Sequence, residues 1–425
     1  MTTIKLYNQK ILFFMIKNKS IFKTLGPGIL FATTAIGVSH LVQSTRAGAE
    51  YGLIMLVFIL SATIFKYPFF EFGSRYANIT GTSLLDGYFK LNKWILVIYL
   101  IITFLSMFIV TAAVAYVTSG LLMNLLQISI NIKYIVLLVM LLCAIILFVG
   151  KFNLLDSLVK IISIVLVLST LLAFIFAIFS TKFSNIHFVE NIEIFDKKGI
   201  IFIIALMGWM PTAVDMSVWN SIWTIERIKQ TKYHPSLKET IFDFNVGYFL
   251  TILIAICFLF LGYLLFYKTS EIIPDSSSMF ANKLISIYTN TLGKWSYWII
   301  SVSAFSVMFS TTLAVIDGYS RSIKFTCKLL FNISQEKYFN IFCLLSIISV
   351  SYLIIWKFLF NFKMLIDIAT IISFLIAPFC AVINHILVHS DDIPIEKKPP
   401  KWLTKLSILG ILFLIFFCII FVVYV

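Results

Sequence analysis

Charged residues are scarce in this chain: Asp, Glu, Lys and Arg make up 12% of its 425 residues, about half their share in soluble globular domains. A water-soluble surface cannot be built from so few, and a soluble domain is excluded. Glycine and proline are sparse too, at 17 and 9 residues, which rules out a collagen-like or low-complexity chain. The six cysteines (Cys143, Cys257, Cys327, Cys343, Cys380 and Cys418) stand in or beside apolar segments without a C-x-x-C pair, so neither a disulfide framework nor a zinc site is indicated. Neither H-E-x-x-H nor H-x-x-E-H spacing occurs, which argues against an intramembrane metalloenzyme. The chain is expected not to be an enzyme and to carry no cofactor.

What the chain has in quantity is apolar surface, with 60% hydrophobic residues and a mean hydropathy of +1.01. Its apolar runs reach the ~20 residues that a membrane-crossing helix needs, twice what a barrel strand uses. The expected fold class is therefore an all-α polytopic membrane protein, with the lipid bilayer as its first partner. Eleven segments qualify as spans, at about 25–52, 53–73, 94–126, 132–150, 155–180, 198–225, 241–267, 295–320, 338–357, 364–388 and 403–425. The net charge of +14 would suggest nucleic-acid binding in a soluble chain. In a membrane chain the basic residues are read by loop instead, and no nucleic-acid partner is expected. At the N-terminus, Ile11 to Ile16 is too short for a signal-peptide core and is flanked by lysines.

The spans divide into a cytoplasmic N-terminal segment 1–24, a first five-helix unit 25–180, an extracytoplasmic loop 181–197, a second five-helix unit 198–388, a cytoplasmic loop 389–402 and an eleventh helix 403–425. The first span of each unit is interrupted. Span one runs apolar from Leu30 to Ile36 and then reads Gly37-Val38-Ser39-His40, and span six reads Gly208-Trp209-Met210-Pro211-Thr212 at its middle. Matched broken helices in two inverted repeats build the midplane site of many secondary transporters. Pro211 lacks a backbone donor, so a carbonyl near the bilayer centre is freed; an ordinary proline kink would read the same way.

Asp215 is the carboxylate best placed near the bilayer centre, about one turn past Pro211, where an unpaired charge costs roughly 2.5–3.5 kcal/mol on insertion scales. It is the leading candidate for the charge of a substrate site, and the bland alternative is a structural pair with Lys66 or His40. His40, beside the first break, could ligate a metal, carry a proton, or only bond a neighbouring carbonyl. Ser39, Thr33, Thr34 and Gln43 could add oxygen ligands or serve as interhelical glue. The remaining charges in spans have simpler readings. Arg46 can pair with Glu50, and Asp317 with Arg321, at i,i+4 spacing. Lys66 can snorkel from the end of span two, and Asp156 suits the start of span five.

These residues resemble the NRAMP family of proton-coupled divalent metal transporters. The resemblance rests on Gly26-Pro27-Gly28 with Ala47-Gly48-Ala49-Glu50-Tyr51-Gly52 in span one, Arg75-Tyr76-Ala77-Asn78-Ile79-Thr80-Gly81 with Leu84 after span two, and Met210-Pro211 in span six. It implies a LeuT-like fold of two inverted five-helix repeats plus an eleventh helix. The departures fall where the family does its chemistry. Gly37-Val38-Ser39-His40 stands at its Asp-Pro-Gly-Asn, and Thr212 replaces the histidine after Met-Pro. With Met123-Asn124-Leu125-Leu126 aligned to the family's LNLL, Ala112 and Ala115 occupy the acidic positions of its proton path.

The resemblance thus implies a divergent metal-ion transporter whose substrate site draws on Gly37, Ser39, His40, Met210, Thr212 and Asp215. Met210, Asp215 and His40 are the candidate metal ligands, Gly37 and Pro211 the helix breaks, and His40 the candidate proton carrier for a coupling ion. The soft Met210 thioether favours a transition metal, provided a carboxylate compensates its charge. A transporter of a small organic ion is the alternative, and a non-transporting scaffold or sensor a third reading. The expected place is the cytoplasmic membrane of a bacterium.

With eleven spans and a cytoplasmic N-terminus, 21 of the 33 basic residues fall on the inner side and nine on the outer, which is the asymmetry that sets topology. The C-terminus is then outside. Reporter fusions after Lys232 and after Val425 should report opposite sides of the membrane, and a shared side would remove the eleven-span reading.

Overall fold

The computed structural model describes residues 26–149, 152–180, 192–267, 274, 276–333, 336–358 and 362–424. The N-terminal segment 1–24, residues 181–191 of the expected loop and the side chain of Asp156 lie outside them. Among the described residues six helices are long and apolar enough to cross a membrane: Met55–Thr80, Lys93–Leu126, Leu237–Phe266, Ser296–Phe331, Lys363–His389 and Lys401–Tyr424. Shorter apolar stretches fill Ile132–Phe148, Ile164–Phe179 and Ile341–Lys357. Spans one and six are each two pieces, Pro27–Ala35 with Ser39–Tyr51, and Lys197–Trp209 with Met216–Thr231. Aromatic and aliphatic side chains such as Trp94, Phe179, Phe249 and Val422 stay exposed around the outside, as a lipid-facing surface requires.

The packing crosses between the two units. Span two lies along the second piece of span six, span seven along both pieces of span one, and spans three and eight pack on each other. Each unit's second helix therefore lies against the broken helix of the other unit, while the first piece of span six also packs on span ten of its own unit. Glycines permit the approach. A Cβ on Gly28 would run into the backbone of Asp243, and one on Gly247 into the Gly28 carbonyl. Further along, Gly48 abuts the Leu259 carbonyl and Gly262 the Thr45 carbonyl. The Gly26-Pro27-Gly28 and Ala47-Gly48-Ala49 strings are thus the two places where span one touches span seven backbone to backbone. Asp243 adds a cap: its carboxylate accepts the N–H groups of Gly26 at 3.2 Å and Gly28 at 2.7 Å, donors that the first turn of a helix leaves unpaired.

Two helices appear where the sequence reads as connecting segments. Leu84–Leu91 begins at a Ser83/Asp86 capping box, and Ser277–Leu292 buries Phe280, Leu284 and Ile287 against span three. Span two also runs on to Thr80 rather than ending near residue 73. Asn78, past that expected end, donates to the Pro235 carbonyl and to Thr240 Oγ1, both at 2.9 Å.

Candidate functional site

Both breaks are short and lie against each other. After Ala35 the chain leaves the helix at Ile36, whose ψ of 73° is not helical, and resumes at Ser39 in a π-helical winding that continues to Ser44 and recurs over Ala47–Tyr51. The first piece of span six ends at Trp209, and helix restarts only at Met216. Ser39 Oγ reaches the Pro211 carbonyl at 3.5 Å, so the two interruptions are in contact. Gly37 is required by its neighbour on span eight, since a Cβ there would sit 2.9 Å from the Thr311 methyl.

A small cavity of about 40 Å³ opens at this junction, lined by Thr34, Ala35, Val38 and Ser39 from span one, Val110 and Val114 from span three, Trp209, Thr212, Ala213, Asp215, Met216 and Trp219 from span six, and Thr311, Val315 and Tyr319 from span eight. Its polar groups are one carboxylate, one thioether, several hydroxyls and an indole N–H, set in an otherwise apolar wall. Asp215, 8% exposed, precedes the second piece of span six. It takes no part in the ion pairs found among the described residues. Thr212 Oγ1 donates to Met216 Sδ at 2.8 Å, and the Trp219 indole N–H is buried without a protein acceptor. Trp209 is held by a 2.8 Å bond from its Nε1 to Ser373 Oγ on span ten.

Of the residues expected at a substrate site, Ser39, Thr212 and Asp215 line this cavity and Gly37 lies at its edge, whereas His40 and Met210 do not. His40 is fully buried with its ring turned toward span seven. Its Nε2 is 3.0 Å from the Thr251 carbonyl and its Nδ1 2.7 Å from Ser39 Oγ. A carbonyl can only accept, so Nε2 carries the hydrogen, and Nδ1 of the neutral ring accepts from Ser39. No lone pair remains to face a metal or a proton path. Met210 is likewise fully buried, with its sulfur 3.9 Å from Ser44 Oγ. The thioether in the cavity is Met216. It stands at i+4 from Thr212, beside Asp215 and three residues before Trp219, a spacing open to reading from the sequence, though the helix itself begins only at Met216.

Lys66 differs from its expected role as well. Because span two extends to Thr80, position 66 is deep in the helix and cannot snorkel. It is fully buried, and its Nζ donates to the carbonyls of Met207, Gly208 and Thr212 at 2.5, 2.8 and 3.3 Å. Span three brings only Val110 and Val114 to the cavity, with Ala112 and Ala115 fully buried.

On the Glu50 side of the cavity, Arg46 does lie 3.6 Å from Glu50 as its spacing suggests, but the shorter contact is to Asp367 of span ten at 2.8 Å. Gln43 donates to the same carboxylate at 3.0 Å and accepts from Arg46 at 2.9 Å, and it does not line the cavity. Lys363 meets Glu50 at 3.2 Å, and the Arg46 guanidinium lies 4.9 Å from the Phe202 ring of span six. This cluster ties spans one, six and ten together. The expected Asp317–Arg321 pair forms at 2.7 Å.

A family model described as natural resistance-associated macrophage protein-like matches residues 28–424. The chain belongs to the Nramp family. An uncharacterized protein of Pasteurella multocida is 34% identical over 407 residues, covering 94% of this chain and 92% of that one. Among solved structures, a mutant of the Eremococcus coleocola manganese transporter superposes with a TM-score of 0.71 at 13% identity, over 95% of this chain and 86% of its own. MhsT in complex with L-phenylalanine gives 0.61 at 11%, over 92% and 98%. A nucleobase-cation-symport-1 family transporter in a closed conformation gives 0.59 at 11%, over 92% and 90%. These likenesses establish the LeuT-like fold. Nramp proteins are transporters and not enzymes, and this chain is a multi-pass membrane protein of that kind. Among the described residues no group of three or more His, Cys, Asp or Glu could hold a metal ion.

The Arg46–Asp367 contact predicts a measurable seal. In an Asp367→Asn protein a cysteine placed at Ala213 should react faster with a membrane-impermeant thiol reagent added from the Glu50 side. The gain should be about tenfold or more, because breaking a buried pair costs more than the ~1.4 kcal/mol that a tenfold change represents. Equal rates in both backgrounds would show that these ions do not close the path.

Proposed function

We propose that this Nramp protein is a secondary transporter that carries a metal cation by alternating access, with the cargo held in the cavity between its two broken helices. The observation that supports this most directly is Asp215: a buried carboxylate facing a cavity at the break, without an ion-pair partner among the described residues. A cation arriving there gains the charge compensation that the protein withholds. Thr212, Ser39 and Thr34 can supply hydroxyl oxygens and Met216 a soft thioether, and this donor set suits a transition metal that keeps part of its water. The Eremococcus neighbour is named as a manganese transporter, which agrees with this choice. The N-terminus is assigned to the cytoplasm and the C-terminus to the outside, in a bacterial cytoplasmic membrane, on the asymmetry of basic residues.

The cavity wall favours a second reading, a small organic cation. Trp209, Trp219 and Tyr319 present aromatic surface beside Asp215, and ammonium groups bind where ring faces and a carboxylate meet. The unpaired Trp219 N–H would serve an acceptor on such a cargo.

Uptake into liposomes loaded with purified protein separates the readings. Manganese uptake that organic ammonium ions do not compete supports the first, and the reverse competition supports the second. Asp215→Asn keeps the shape and removes the charge, so it should lower uptake by about a hundredfold or more while leaving folding intact, as expected when a buried cation loses its counter-charge at ~3 kcal/mol or above. Full uptake by well-folded Asp215→Asn protein would remove the site assignment.

A further inference from the structure

Lys66 is absent from the cavity wall, yet it is the basic side chain most completely enclosed by the break in span six. In an unbroken helix the Met207 and Gly208 carbonyls would accept from the N–H groups of residues 211 and 212. Pro211 has no N–H, and the chain has left the helical path by Met210. Both carbonyls are thus orphaned at the negative end of a half-helix. The ammonium of Lys66 has three hydrogens, and the carbonyls of Met207, Gly208 and Thr212 receive them. The Phe374 ring of span ten lies 6.0 Å away, and Asp215 is the charged neighbour acting on it. Half-helix ends with unwound carbonyls are the feature that holds a sodium ion or a proton in transporters built from inverted repeats.

We propose that Lys66 is a tethered stand-in for a monovalent co-ion: its ammonium fills the carbonyl ring at the end of the first half of span six, so the break is held without an alkali-metal ion. Ammonium and alkali cations share unit charge and a preference for carbonyl oxygen, and a covalent tether fixes one of them in place at all ion concentrations. The ring is therefore satisfied independently of sodium. The break then stays formed whether or not cargo is present, which makes this inference separable from the identity of the cargo.

The test reads stability and needs no cargo. The Tm of the purified full-length protein in detergent is measured in sodium, potassium and N-methyl-D-glucamine chloride at equal ionic strength. Wild-type protein should melt at the same temperature in all three. Lys66→Ala should lose several degrees in N-methyl-D-glucamine and regain them with sodium, potassium or methylammonium, because the ring is then vacant and its carbonyls still need a cation. Lys66→Met fills the space without charge and should lose stability that no cation restores. A sodium-dependent rise in wild-type Tm would overturn the proposal, as would a Lys66→Met protein as stable as wild type. Should neither variant be recovered folded, the wild-type comparison decides alone, with sodium dependence counting against the tethered cation and its absence for it.

Discussion

A helix interrupted inside the hydrocarbon core leaves backbone carbonyls and N–H groups that no water can reach, and each costs several kcal/mol if it stays unpaired. Much of this protein's architecture answers that constraint. Asp243 accepts the leading N–H groups of span one, the Ala35 carbonyl takes the Gly37 N–H at 2.8 Å, and Lys66 gathers the carbonyls that Pro211 strands in span six. These partners come from spans seven, one and two. The breaks are thus held by the crossed packing in which each unit's second helix lies against the other unit's broken helix.

Once the breaks are stable, the site follows from what they leave over. The chain between Trp209 and Met216 is not helical and leaves space at its flank, which is closed by spans three and eight with Val110, Val114, Thr311 and Tyr319. Asp215 ends up in this apolar enclosure without a direct ion pair among the described residues, with Lys66 as its charged neighbour. The charges that are compensated stand elsewhere: Arg46, Asp367, Glu50 and Lys363 balance one another on one side of the cavity, and Glu71 with Arg75 at 2.6 Å farther along span two.

The fold was legible because hydropathy sets helix length and because Gly37 and Pro211 stand at matched places in the first span of each unit, whereas Pro68 and Pro378 sit within helices that run on. The motif glycines were legible as motifs, and the structure supplies their physical cause, the backbone contacts of Gly28 and Gly48 with span seven. His40 misled for a definable reason. Residues 39–51 wind largely as π-helix, so the 3.6-residue period that assigns side chains to faces does not hold there. The ring turns to Thr251 instead of the cavity. Asp367 was invisible as the partner of Arg46 because 321 residues separate them and the i,i+4 alternative, Glu50, was nearer to hand. Lys66 was misplaced through the end of span two: with the helix stopped near residue 73 it looked peripheral, and with the helix run to Thr80 it is central. Met216 was legible from its i+4 spacing to Thr212, and it was passed over only because Met210 matched the family motif.

The account turns on one location, the cavity between the breaks, as the place where cargo sits. The most direct measurement is an anomalous difference map from crystals of the full-length protein grown with manganese. A peak beside Asp215, within reach of Thr212 and Met216, is the result this account predicts, and it should vanish in Asp215→Asn crystals. A peak elsewhere in the bundle, or an Asp215→Asn map that keeps the peak at full height, would contradict it.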